Sequence, residues 1–395
     1  MPLTATIRFT MWIAVLAVML DVAPTAASDG GDRYTGEVFS SRSPVLARNG
    51  MAATSHPIAS SIAVDVLRNG GSAVDAAIAA NAMLALVEPH ACGIGGDLFA
   101  IVWDPESAQL HGYNGSGRSP AGFSYAEMKD AIGDARDIPR FGPLSISVPG
   151  AVDGWFALHE RFGRLPIADL LKPAVEYARE GIAVTEVDAA LWQEAMSDFA
   201  NLGLPEEVLA ELRRVYTVDG RTPQPGEIFS NRDLAGSYAR IADGGRESFY
   251  QGEIARQIVA AITRTGGALT AEDLRRHKGE WVDPMSVNYR GFDVFELPPN
   301  SQGIAALQIL NLIEAYPLGD WGRDNADYWH VMIEASKIAY EDRARYYADQ
   351  HFAQQPTDWL ISKDYAEKRR RLIDMSRSSA VVAAGSPPDR GDTTY

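Results

Sequence analysis

Gly391-Asp392-Thr393-Thr394-Tyr395 are the last residues of the sequence, and their reading decides what kind of fold the preceding residues belong to. Thr-Thr-Tyr is β-branched and aromatic, the composition of a strand that is just beginning. It follows a Pro- and Gly-rich linker, Gly385-Ser386-Pro387-Pro388-Asp389-Arg390-Gly391. A strand needs partners, so the expectation is a chain that stops at the start of a new structural unit. The plainer alternative is a frayed terminus.

Working outward, 395 residues suffice for two to three domain-sized units or for one large core with appended helices. Hydrophobic residues make up 46% and charged residues 22%, which describes a soluble globular protein able to build a core. The net charge of −16 argues against nucleic acid and anionic lipid, which both require a cationic surface. Lys368-Arg369-Arg370-Arg371 reads as a solvated helix face rather than a binding patch. Residues 1–28 have the parts of a secretory signal peptide: Arg8, an apolar run from Phe9 to Leu20, and small residues at Ala26-Ala27-Ser28. The run is too short to span a bilayer, and Asp21 and Pro24 end it early, which favours cleavage over an uncleaved anchor. Export to the periplasm or the medium follows, without stable membrane insertion. Cys92 is the single cysteine, so no intrachain disulfide is possible.

Along the chain, residues 29–44 read as a linker. His56–Asn69 has helical period, Gly70-Gly71 stops it, and Ser72 with Asp75 resembles a capping box opening an Ala-rich, wholly buried helix over 73–87. Leu98–Trp103 has the length of a buried strand, with Gln109–Tyr113 as its return. The glycines of Cys92-Gly93-Ile94-Gly95-Gly96-Asp97 lead from helix into strand, the reverse of a phosphate-binding loop, so close backbone approach is the better reading. Asn114-Gly115-Ser116-Gly117-Arg118-Ser119-Pro120 is a polar loop whose Arg118 suits a carboxylate bidentately. Ser145–Gly150 reads as a strand ending in a turn. His159 reads as a surface or capping residue, and the helical middle from Val184 to about Arg264 as scaffold. Met285–Tyr289 and Phe292–Leu297 alternate as a hairpin about Arg290-Gly291. Asn300-Ser301 precedes a helix at 304–315, where it suits either an anion or self-capping. A long helix from Ala326 to about Tyr347 carries Glu334/Lys337, Lys337/Glu341 and Glu341/Arg345 as ion pairs on a solvated face. The spacing of Glu334, Asp342 and Asp349 does not favour a metal, and no cofactor is indicated.

Several stretches are family motifs. Gly50-Met51-Ala52-Ala53-Thr54-Ser55-His56-Pro57, Asn69–Ala77, Glu88–Asp97, Ser147–Val152 and Phe162-Gly163-Arg164-Leu165-Pro166 resemble, in collinear order, the large subunit of gamma-glutamyltranspeptidases. Pro298-Pro299-Asn300-Ser301-Gln302-Gly303 and Glu334–Arg343 continue the resemblance. It implies an α/β (α+β) N-terminal nucleophile hydrolase, a four-layer αββα sandwich that one precursor forms after cutting itself into two subunits. The large subunit would occupy 45–392, and 393–395 would begin the small subunit, leaving the sandwich incomplete in this sequence. Thr393 would be the nucleophile and, once its amine is free, the base; Asp392 would supply the scissile carbonyl and Thr394 a supporting hydroxyl. A threonine hydroxyl needs a base, and a free α-amine has a reference pKa of about 7.7–8.0, close to the poise wanted at neutral pH. The expected partners are a small γ-glutamyl substrate and the chain's own small subunit. The truncated chain alone is expected to be inactive, because the oxyanion shell comes from the small subunit. In relatives acting on glutathione an arginine stands four residues before the loop proline. Here that position is Ser116, and Arg118 lies two before Pro120. This leaves open a glutaryl-type acylase, and, in another class, a non-catalytic exported solute-binding protein.

Overall fold

In a computed structural model, residues 43–135 and 137–387 are described. The signal peptide, most of the linker and Asp392, Thr393 and Thr394 therefore lie outside the described residues. The chain divides into a unit over 1–51 and one over 52–395. In the first, residues 43–51 are irregular. All that follows concerns the second.

It begins with α1 (Pro57–Arg68) and α2 (Ala73–Val87). The Ser72 hydroxyl and the Asp75 carboxylate cap α2 reciprocally, and Asp75 also accepts the Arg164 and Leu165 amides. Ala79, Ala82, Met83, Leu86 and Val87 are each exposed by at most 1%; an apolar helix with no polar stripe has no face to offer water. Then β1 (Phe99–Asp104) turns back as β2 (Gln109–Asn114), with Phe99 opposite Asn114 and Asp104 opposite Gln109.

After α3 (Tyr125–Ile132) and a 3-10 turn (Pro143–Ser145), α4 (Ala151–Phe162) and α5 (Ile167–Glu180) enter the core. A short β3 (Ile182–Ala183), α6 (Glu186–Ala200) and α7 (Glu206–Tyr216) lead to β4 (Ile228–Phe229), the partner of β3. The next run, α8 (Arg232–Tyr250), is broken at Gly245, where φ is +66°. It is followed by α9 (Glu253–Arg264) and α10 (Ala271–Arg276). β5 (Glu280–Val282) pairs with β2, giving a three-stranded antiparallel sheet in the order β1-β2-β5. β6 (Met285–Tyr289) and β7 (Phe292–Glu296) form the expected hairpin; Arg290 and Gly291 both have positive φ, as a two-residue turn of this type requires. Finally α11 (Ile304–Ile313), α12 (Leu318–Trp321), α13 (Ala326–Tyr346), α14 (Thr357–Leu360) and α15 (Lys363–Arg370) pack around their own apolar clusters.

Four expectations are corrected. β1 is buried on one face only: Phe99 (40%), Ile101 (39%) and Trp103 (57%) are exposed, because β1 is the sheet edge and its outer face is uncovered among the described residues. Ser145–Gly150 is no strand; after the 3-10 turn it runs extended and bonds the loop beside it, Val148 N donating to Arg118 O at 3.0 Å. Glu334 does not lie on a solvated face. It is 1% exposed, pairs with Lys337 at 2.6 Å and accepts the Ser379 amide, while no ion pair joins Lys337 to Glu341 or Glu341 to Arg345 among the described residues. In α15, Arg370 donates to the Leu312 and Asn311 carbonyls and Arg369 to the Ala383 carbonyl, so those two tie helices together instead of facing water.

Candidate active-site cleft

Three loops meet because glycine lets their backbones touch. A Cβ on Gly117 would meet the Val148 carbonyl oxygen at 1.6 Å, and one on Gly150 would meet that of Gly115 at 1.7 Å, so neither position admits a side chain. The Gly96 carbonyl accepts the Gly150 and Ala151 amides at 2.8 and 3.0 Å, which docks the start of α4 on the glycine loop. This is the close backbone approach anticipated for that loop.

On this floor Asn114, Ser116 and Asn300 close a ring of hydrogen bonds. The Asn114 amide donates to Asn300 Oδ1 at 2.7 Å, Asn300 Nδ2 donates to Ser116 Oγ at 2.9 Å, and Ser116 donates back to Asn114 Oδ1 at 2.7 Å. Two sequence motifs 184 residues apart are thereby joined. Ser301, the other member of the Asn-Ser pair, donates to the Leu297 and Pro298 carbonyls, which is local capping. Ser116, Gly117 and Asn300 form the ridge between two clefts. One, of about 850 Å³, is bounded by Arg118, His277, Glu280 and Asp349. The other, of about 710 Å³, is bounded by Asp97, Ser147, Glu296 and Arg343.

Arg118 stands in the wall of the larger cleft. Its Nε donates to Asp349 at 2.9 Å and its Nη2 to Glu280 at 3.1 Å, and His351 Nε2 lies 3.1 Å from the same Glu280 carboxylate. The Asp349 hydrogen bond raises the Arg118 pKa above its ordinary value. Asp349 is lowered: burial opposes this, but the His351 amide and Arg118 outweigh it. Two of the guanidinium's donors are therefore committed within the protein.

Beneath the floor lies a buried polar group that sequence reading missed. Asp153, in the first turn of α4, accepts the Tyr113 hydroxyl at 2.7 Å, the Gly279 amide at 2.8 Å and Arg246 Nε at 2.5 Å. Burial pushes its pKa up, yet those three donors overcome burial and the net shift is downward. Tyr250 donates to Pro149 O at 2.8 Å and accepts the Asp153 amide at 3.0 Å. His277, 9% exposed, stacks on Tyr250; its Nε2 has no hydrogen-bond partner among the described residues, and burial lowers its pKa. Arg246 comes from the stretch read as scaffold. The only local signal was the Gly244-Gly245 break just before it, which turns the chain so that Arg246 points inward. His159 bonds the Leu165 carbonyl at 2.7 Å, an anchor for the loop rather than a site.

Glu334, Asp342 and Asp349 serve three separate networks, and no group of His, Cys, Asp and Glu suited to a metal occurs among the described residues. No described helix is long and apolar enough to cross a membrane. Asp342 binds the chain's distal segment: it accepts the Gln308 amide, the Tyr365 hydroxyl and the Gly385 amide at 3.0, 2.8 and 2.9 Å.

Comparison with known proteins accounts for this arrangement. The family model described as Gamma-glutamyltranspeptidase matches residues 59–395. A glutathione hydrolase-like YwrD proenzyme of Bacillus subtilis is 35% identical over 352 residues, 89% of this chain and 64% of the relative. The chain thus spans a little under two thirds of that relative's length. Among solved structures, the gamma-glutamyltranspeptidase of Helicobacter pylori superposes with a TM-score of 0.79 at 29% identity, covering 89% of this chain and all of the matched chain. A cephalosporin acylase from Bacillus halodurans gives 0.78 at 38% identity, covering 87% and 63%. The fold is that of the N-terminal nucleophile hydrolases, a class of mixed helix and sheet. With the glycine-lined floor, the joined motifs and a family match over most of its length, the chain belongs to the gamma-glutamyltranspeptidase family.

Proposed function

We propose that this chain is the large-subunit portion, about 45–392, of an exported, self-processing amide hydrolase and acyltransferase of the γ-glutamyl class. Its donor is glutathione or a related γ-glutamyl amide. The observation that carries the reading is the family match, which runs without a break to residue 395 and so includes Thr393-Thr394. In this reading Thr393 Oγ attacks the Asp392 carbonyl, the peptide bond becomes an ester, and water resolves it into two chains. The freed α-amine of Thr393 then takes the hydroxyl proton as Oγ attacks a substrate amide. The amine product leaves, and water or an amino acid accepts the acyl group. Thr394 supports the nucleophile, and the small subunit of the same precursor completes the oxyanion site.

A second reading has its own observation. Ser116 stands where an arginine is expected, and Arg118 is held by Glu280 and Asp349. A substrate carboxylate would have to compete with both for Arg118, which favours an acylase for glutaryl-type side chains over strict γ-glutamyl specificity.

Intact mass of the full-length gene product, wild type beside Thr393→Ala, tests the chemistry. A wild type that splits at Asp392–Thr393 while the variant stays whole is the expected result. A folded wild type that stays whole sinks the reading. A γ-glutamyl anilide against a glutaryl anilide then separates the two substrate classes.

A further inference from the structure

The smaller cleft contains charges that nothing in the protein neutralises. Arg343, on the last turns of α13, is half-buried; its guanidinium lies 5.3 Å from the Tyr340 ring centre. It makes no ion pair and no side-chain hydrogen bond among the described residues. Glu296, at the end of β7, is half-buried too, and its carboxylate rests against the backbone of Gly303, where a Cβ would meet Oε2 at 2.5 Å. Asp97, just before β1, closes the same cleft. Neither carboxylate has a hydrogen-bond or ion-pair partner among the described residues. In the neighbouring cleft, by contrast, Arg118, Glu280 and Asp349 are paired with one another.

One cation and two anions held apart across about 710 Å³ are complementary to a small molecule carrying both signs. A free carboxylate would be drawn to Arg343 and repelled by Glu296 and Asp97; a simple amine would meet the reverse. An α-amino acid head group satisfies both, its carboxylate on Arg343 and its ammonium on Glu296 with Asp97. Ser116, Ser147 and Asn300 edge the cleft with neutral hydrogen-bonding groups.

We propose that this cleft binds the zwitterionic α-amino acid head of a ligand, with Arg343 as its carboxylate receptor and Glu296 as its ammonium receptor. The inference rests on the amidase reading above and deepens it. The head group has two sources: the γ-glutamyl donor, or the amino acid acceptor of transfer.

The test uses the processed full-length enzyme and calorimetric titration with L-glutamate and with glutarate, so the binding readout does not depend on turnover. Removing a charge-assisted bond costs roughly tenfold or more in affinity. Arg343→Gln is expected to weaken L-glutamate at least about tenfold, with Arg343→Lys retaining part of the binding. Glu296→Gln is expected to weaken L-glutamate while leaving glutarate unchanged or tighter. If Arg343→Gln matches wild type for L-glutamate, or if Glu296→Gln weakens both ligands alike, the proposal is overturned. Self-cleavage and an unchanged melting temperature certify folding of each variant. Failure of cleavage in wild type is a separate result and counts against the amidase reading. A raised KM for hydrolysis without acceptor assigns the head group to the donor; a raised KM confined to a dipeptide acceptor assigns it to the acceptor.

Discussion

The Tyr113 hydroxyl donates to the Asp153 carboxylate at 2.7 Å, joining β2 to the first turn of α4 beneath the cleft floor. With Arg246 and the Gly279 amide on the same carboxylate, one side chain of 4% exposure links strand, helix and two loops. Asp153→Asn keeps the shape but leaves Arg246 without its counter-charge. Breaking a buried pair in this way costs about 3–5 kcal/mol, and Arg246, being partly exposed, places the expected loss at the lower end of that range. Chemical denaturation of the variant beside wild type measures it, and a loss under about 1 kcal/mol would contradict a buried, fully used carboxylate.

Gly150→Ala is expected to displace the Gly115 loop, because the added carbon has no room at 1.7 Å from a carbonyl oxygen. Overpacking of this kind costs about 1–3 kcal/mol. Gly220, by contrast, has open space where a Cβ would go but carries φ +80°, so its alanine variant suffers backbone strain alone. Melting curves should rank Gly150→Ala as the more damaging of the two, and ligand binding should fail with it.

Burial lowers the pKa of His277, so the folded protein holds that ring neutral where the unfolded chain, with an ordinary value of about 6.5, begins to bind a proton. The unfolded state then binds more protons as pH falls from about 6.5 toward the depressed folded value, and stability drops across that window. Above it the contribution is fully present. Melting temperatures between pH 7.5 and 5 should fall for wild type, and the slope should flatten in His277→Gln.

Asp342, fully buried, holds the Gly385 amide at 2.9 Å, and Lys337 holds Ser378 and Ser379. Asp342→Ala removes the anchor and is expected to release the segment around 378–387 before the rest unfolds. Limited proteolysis should show new cuts there at temperatures where wild type resists. Equal protection in both would mean that Lys337 and Arg369 suffice.

Local pattern carried much of this architecture. α2 was legible to the residue because its alanines, its Ser72/Asp75 cap and the Gly70-Gly71 stop all agree. The hairpin at Arg290-Gly291 was legible for the same reason. β5 was not, since three residues have too little periodicity to be seen and acquire strand geometry only by pairing with β2. Ser145–Gly150 looked like a strand because its alternation is real, but its neighbours are loop backbone, not a ladder. Glu334, Arg369 and Arg370 were misread as solvated because charge spacing along a helix says nothing about what later chain folds over it. Within the site, the glycine loop and the Asn114 and Asn300 motifs were visible as motifs, while their mutual contact was not. Asp153, Arg246 and His277 converge from separate elements, and no spacing rule connects them.

The glycine contacts of the floor have a consequence for how this scaffold changes over generations. Gly115, Gly117 and Gly150 meet backbone to backbone, so the base of the cleft is written in main-chain atoms that every side-chain exchange elsewhere leaves in place. The walls are different: Arg118, Glu280, Asp349, Glu296 and Arg343 project from five separate loops and elements around it. A lineage can therefore swap the charges that choose a ligand one at a time without rebuilding the platform on which the chemistry rests, and selectivity becomes a property that drifts independently of the fold.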